Sequence, residues 1–232
     1  MSLGVIGGSI RALSTHFALS LSTNLAAIVF SIPILMLAMV MAYVGNSLRV
    51  IPLAVALMVA VLPNPAVAGV QSLARDLAHH DVVTLGGTWP DLREFWRPAL
   101  KVWLVSVGAS VVIIANLAFY GHAASTPGSS FHAIATPLLI FWLAVLVIWL
   151  TMHLYLYPLL MAQASPRMMQ AYRNAGLITV RKPLFSILVT FVWLLILVIS
   201  STTGFVVLLG LALGAMIQQF AFVKILPSVE AV

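Results

Sequence analysis

Long uncharged apolar runs recur along the whole chain, and they limit its fold more than any other feature. A helix needs about 20 apolar residues to cross a hydrocarbon core about 30 Å thick. Six segments meet this requirement: 19–43, 50–70, 102–120, 134–156, 185–201 and 205–225. Charged residues make up only 7% of the chain, against about 25% in soluble domains. The sequence therefore predicts an all-α, polytopic membrane protein with a single transmembrane domain over residues 1–232.

The positions of the basic residues predict the orientation of these spans. Short loops rich in Lys and Arg stay on the cytoplasmic side of a membrane. Ten of the eleven basic residues fall on one side of the six predicted spans, and only Arg49 falls on the other. We therefore predict that both termini are cytoplasmic. The net charge of +6 then reflects topology and contact with anionic lipid, and we expect no binding of nucleic acid.

Amphipathic segments precede the third and fifth predicted spans, at 91–100 and 165–177. In each segment an aromatic–Arg pair is followed two residues later by Ala. Aromatic and Arg side chains anchor helices at the headgroup level. The expected interfacial anchors are Trp96, Arg97, Tyr172 and Arg173. We predict three helical hairpins introduced by interfacial helices. The alternative is that the repeat is a coincidence, since cytoplasmic segments before spans often collect such residues.

The first amphipathic segment also carries a helix-start signal. Asp91 is followed three residues later by Glu94, which is similar to a capping box. The preceding stretch, 84–88, contains two glycines and is expected to be flexible. These features predict a separate interfacial helix that starts at Asp91.

The Pro63-Asn64-Pro65 triplet predicts a break in the second span. Two prolines this close remove two amide donors and disfavour helix at the residues before them. Broken membrane helices mark solute sites in transporters. The alternative is that the break turns the chain into an interfacial helix that runs to His79.

Residues that carry chemistry are sparse. All five acidic residues lie in predicted cytoplasmic segments, and the chain has no cysteine. Carboxylate catalysis, ion-coupled transport and thiolate sites therefore lack their usual residues, and we expect no catalytic residue, no metal and no enzyme activity. His153 is the one histidine clearly inside a span. It is either a ligand for haem or a pigment, or an interhelical hydrogen-bonding group, and the second use is commoner.

Small residues in the sixth span predict close helix packing. Gly210 and Gly214 stand four residues apart, and Gln218 follows one turn later on the same face. Such a stripe lets helices approach closely, and a glutamine on it can form a hydrogen bond across the contact. The partner helix belongs either to this chain or to another subunit.

Several short motifs together resemble one known family. They are Asn24, Ser31-Ile32-Pro33, the 63–69 break, the 89–96 segment, Tyr155-Leu156-Tyr157-Pro158-Leu159 and Tyr172-Arg173-Asn174-Ala175. This succession resembles the YesL-type family of bacterial integral membrane proteins, which carry a domain of unknown function, over nearly the whole chain. The resemblance implies a small multi-helix protein of the bacterial cytoplasmic membrane, associated with carbohydrate uptake. It transfers no catalytic residue.

These observations favour a non-enzymatic membrane protein that serves as an accessory or structural subunit of a larger membrane assembly or solute uptake system. Protein partners in the membrane are therefore expected. A first alternative is a self-sufficient channel or transporter for small solutes, built around the break at Pro63. A second alternative is a haem- or pigment-binding subunit that uses His153.

Overall fold

The computed structural model describes residues 5, 7–11, 17, 21, 25, 67–79, 85–126, 131–163, 165–202 and 207–230. Six helices are defined within these ranges: α1 (Val67–His79), α2 (Leu85–Ala124), α3 (His132–Met161), α4 (Met168–Arg181), α5 (Pro183–Thr202) and α6 (Val207–Glu230). The described residues contain no strand, which confirms the all-α class for this part of the chain. The first predicted span and most of the second lie outside it.

Helices α2 and α3 pack side by side in opposite directions. Trp149 Nε1 of α3 donates a hydrogen bond of 3.0 Å to Ser110 Oγ of α2. One turn further along α3, His153 Nε2 lies 2.9 Å from Ser106 Oγ. Residue numbers rise along one helix as they fall along the other, so the pair is antiparallel.

The surface of this helix pair is strongly apolar. Arg93–Ala124 and His132–Met161 are both long and apolar enough to cross a membrane, and the bent pair α4–α5 is a third candidate span. Large apolar side chains are exposed on α2 and α3, among them Leu104, Val112, Phe119, Ile134, Ile140, Phe141 and Ile148. Water does not favour so much exposed apolar surface, whereas lipid does. The described helices are thus compatible with a membrane protein, and the six-span layout stays a prediction.

The predicted separate helix at Asp91 is wrong, because α2 is one helix from Leu85 to Ala124. It includes the glycines of 84–88 that were expected to be flexible. The buried side chains of α2 explain its continuity. They form one stripe at helical spacing that continues from the predicted interfacial segment at 91–100 into the predicted span at 102–120: Phe95, Ala99, Val102, Ser106, Ser110 and Ile113. Packing along a continuous stripe outweighs a local capping signal.

The second amphipathic segment is a separate helix, unlike the first. Helix α4 ends at Arg181, α5 begins at Pro183, and the two meet at 110°. Proline lacks an amide hydrogen and disfavours helix at the residue before it, so Pro183 suits the first turn of a new helix. The two members of the predicted repeat therefore differ, since one is part of a continuous helix and the other ends at a sharp bend.

Helix α6 is largely buried within the described bundle over residues 212–222. The apolar part of its contact with α1 is formed by Val67, Val70, Ala74, Ala212, Ala215 and Met216. Helix α1 ends at His79, where the alternative interpretation of the proline break placed a helix end. It packs inside the bundle, however, because residues 70–74 are all buried.

Candidate functional site

His153 lies at the junction of α2, α3 and α4, and 1% of its surface is exposed. Its Nδ1 is 2.8 Å from the carbonyl oxygen of Trp149, one turn earlier on α3. Its Nε2 is 2.9 Å from Ser106 Oγ on α2. Both ring nitrogens therefore contact protein groups.

Tyr172 extends this contact to α4. Its hydroxyl lies 2.8 Å from Ser106 Oγ and donates a bond of 3.0 Å to the carbonyl oxygen of Val102. Its ring stacks on Trp149, with centroids 5.8 Å apart and planes 8° apart. A phenol hydroxyl is both a donor and an acceptor, so this group can take part in both contacts.

The hydrogen-bond partners assign the histidine tautomer. A carbonyl oxygen only accepts, so the Nδ1 of His153 carries the hydrogen that faces Trp149. Neutral imidazole then accepts at Nε2, and Ser106 donates to it. The Tyr172 hydrogen is shared between Ser106 Oγ and the Val102 carbonyl oxygen. A neutral histidine is thus compatible with the hydrogen bonds that run from Tyr172 through Ser106 to His153.

Three buried glutamines join α1 and α6 to this junction. Gln71 Nε2 donates to Gln218 Oε1, and Gln219 Nε2 donates to Gln71 Oε1 at 3.2 Å. Gln218 Nε2 donates to the carbonyl oxygen of His153 at 3.1 Å. All three glutamine side chains are fully buried. The amides therefore bridge α1, α3 and α6.

A further bond links α3 to α5. Tyr155 Oη and Ser186 Oγ share a hydrogen bond of 2.7 Å, and both residues are fully buried. We call the set formed by the half-buried Tyr172 and the buried residues Gln71, Ser106, His153, Tyr155, Ser186, Gln218 and Gln219 the polar network. Each of the six helices contributes at least one member. The network is uncharged, and its chemistry is that of hydrogen bonds between helices.

The residues singled out from the sequence lie in several places. His153 and Gln218 are in the polar network, and Gly214 is buried in α6, which also contains Gly210. Trp96, Arg97 and Arg173 are exposed, as anchors at a membrane surface would be. Tyr172 is half-buried and its hydroxyl contacts α2, and its role as an interfacial anchor stays a prediction. The Pro63-Asn64-Pro65 triplet lies outside the described residues.

Sequence analysis did not single out Ser106, Trp149, Gln71 or Gln219. A signal for the glutamines was available, since an amide in an apolar helix needs a partner. The sequence does not identify that partner, because Gln71 and Gln218 are 147 positions apart.

Groups suited to metal binding are not assembled in the part of the chain that the structure describes. No three His, Cys, Asp or Glu side chains come together there.

Arg75 and Asp76 form an ion pair of 3.0 Å, in which both side chains are partly exposed. Such a pair between sequence neighbours is worth little.

Comparison with known proteins gives no match: no family model, no curated protein and no solved structure is similar to this chain at a significant level. The resemblance to the YesL-type family therefore stays a prediction that rests on the quoted motifs.

Proposed function

We propose that this chain is a non-enzymatic subunit of a larger membrane assembly, such as a solute uptake system of the bacterial cytoplasmic membrane. The polar network is the observation that supports this proposal. Its side chains form hydrogen bonds with one another and with backbone carbonyl groups, and they tie all six described helices together. Such an interior suits a protein whose task is to hold a shape.

The outer faces of the bundle provide room for partner subunits. The small residues Ala212 and Ala215, on either side of the buried Gly214, are used within the chain, where α6 packs against α1. A partner would instead contact the exposed apolar side chains of α3 or α5. The apolar side chains of α5 are large and highly exposed: Leu184 is 85% exposed and Phe191 is 64% exposed.

Two alternatives use other residues. A channel or transporter for small solutes would be built around Pro63-Asn64-Pro65, just before α1 begins at Val67. A haem or pigment subunit would use the Nε2 of His153, and its ligand would have to replace the contact with Ser106 Oγ.

One purification distinguishes the three functions. The tagged full chain is extracted from its native membrane into nanodiscs and isolated gently. Mass spectrometry then identifies partners, and an absorbance scan is taken of the same eluate. We expect stoichiometric partner chains and no visible absorbance. A colourless protein without partners would contradict the subunit proposal and favour the channel, and a Soret or pigment band would favour the cofactor role.

A Phe191→Ser variant tests whether α5 contacts the partner subunit, because it places a polar group on the exposed face of α5. The matched control is Phe119→Ser at the exposed end of α2, where 60% of the side chain is open. We expect the α5 change to reduce recovery of the partner more than the α2 change does. Equal recovery would place the contact elsewhere and contradict the role given to α5.

A further inference from the structure

A cavity of about 220 Å³ lies where α3, α4 and α6 meet. It is separate from the polar network and lies near the 110° bend that follows α4. One face of α4 supplies four of its lining residues, at spacings of three, one and three positions: Asn174, Leu177, Ile178 and Arg181. Leu177 and Arg181 are exposed, so the cavity opens to the surface beside them.

The inner wall of the cavity is apolar. It consists of Leu159 of α3 with Phe222 and Ile225 of α6. These three side chains are buried. A ligand that enters here must therefore carry a hydrocarbon part.

The rim of the cavity is cationic. In the described ranges the guanidinium of Arg181 forms no ion pair. The ion pair within those ranges joins Arg75 to Asp76. Lys182 follows directly and is also exposed. Asn174 adds an amide on the same face of α4. A planar guanidinium beside an amide suits a phosphate group with neighbouring ester oxygens.

We propose that this cavity binds one anionic glycerophospholipid. Its phosphate lies against Arg181, Asn174 donates to a glycerol or ester oxygen, and the first carbons of one acyl chain lie against Phe222 and Ile225. The cavity is smaller than the pockets of about 300–1,000 Å³ that enclose whole ligands. The rest of the lipid therefore stays in the bilayer. Basic pockets beside membrane helices bind anionic headgroups in this way. The site does not depend on any protein partner.

Native mass spectrometry of the full chain in a neutral detergent tests the site. Phosphatidylglycerol is titrated in and compared with zwitterionic phosphatidylcholine. We expect one phosphatidylglycerol to be retained, and Arg181→Gln to weaken its binding about tenfold, as loss of a charge-assisted bond would. Arg167→Gln is the matched control, since Arg167 is exposed just before α4 and lies outside the cavity lining. Equal binding of the two lipids, or equal loss in the two variants, would overturn the proposal.

A second pair of variants tests the hydrocarbon part. Leu177→Trp fills the mouth of the cavity and should abolish retention of the lipid. Val180→Trp adds the same bulk on α4 outside the lining, at a side chain that is 74% exposed, and should leave retention unchanged. Glycerol 3-phosphate distinguishes a lipid site from a simple anion site, and we expect it not to compete. Competition by this soluble anion, or retention by Leu177→Trp, would contradict the lipid proposal.

Discussion

Replacement of His153 by alanine is expected to lower the free energy of unfolding by about 3 kcal/mol. The variant loses the contacts of both ring nitrogens, to Ser106 and to the Trp149 carbonyl oxygen. It also opens a cavity in a fully buried site. The edge-to-face contact with the Trp149 ring, at a centroid distance of 4.7 Å, disappears as well. Unfolding by sodium dodecyl sulfate in mixed micelles, followed by tryptophan fluorescence, measures the change.

His122→Ala is the matched control for His153→Ala. His122 lies in the last turn of α2 and its side chain is exposed. Exposed substitutions usually change stability by less than about 0.5 kcal/mol. Similar losses in the two variants would contradict the structural role assigned to His153.

A Gln218→Leu variant should be less stable by about 2 kcal/mol. Leucine fills a similar volume, so the loss comes from the bonds and not from a cavity. Gln71 loses the oxygen to which it donates, and the carbonyl oxygen of His153 loses its side-chain donor. An amide left without its partner in a buried site is costly.

The double variant Gln71→Leu/Gln218→Leu distinguishes a bond from general disruption. Removal of both partners leaves neither end of the Gln71–Gln218 bond orphaned, and Gln219 keeps its bond of 3.4 Å to the backbone carbonyl oxygen of residue 71. We therefore expect the double variant to recover about 1 kcal/mol relative to the sum of the single changes. Gln170→Leu, at an exposed glutamine of α4, should be nearly neutral in the same denaturation assay. Strict additivity of the two buried changes would show that the two side chains are not coupled.

The length and position of several helices could be predicted from local sequence. The predicted span at 134–156 lies within α3 (His132–Met161). The long apolar run of this segment is enough to identify it as a helix of spanning length. The change of direction at Pro183 also follows from the chemistry of one residue. The separation predicted between the segment at 91–100 and the third span does not occur, and the reason is physical. The capping signal at Asp91 is local, whereas the buried stripe from Phe95 to Ile113 depends on which helices pack against it.

The partners within the polar network depend on the tertiary arrangement. The sequence placed a polar histidine and a polar glutamine inside apolar helices, which indicated hydrogen bonds between helices. It did not identify Ser106, because a serine is common in membrane helices. Tyr172 stands on an amphipathic helix, where an aromatic side chain can face lipid headgroups or the bundle. Tyr172 stacks on Trp149 because α4 packs against α3, and this is a tertiary contact.

Cysteine labelling at the two ends of α3 shows whether this helix crosses the membrane. The chain contains no cysteine, so single substitutions give an unambiguous signal. Ser125 precedes α3 at the tip of the antiparallel pair, Ser165 follows it, and both residues are exposed. We predict that a membrane-impermeant maleimide labels Ser125→Cys in intact spheroplasts and labels Ser165→Cys only after permeabilisation. Equal labelling of both positions before permeabilisation would contradict a membrane-spanning α3.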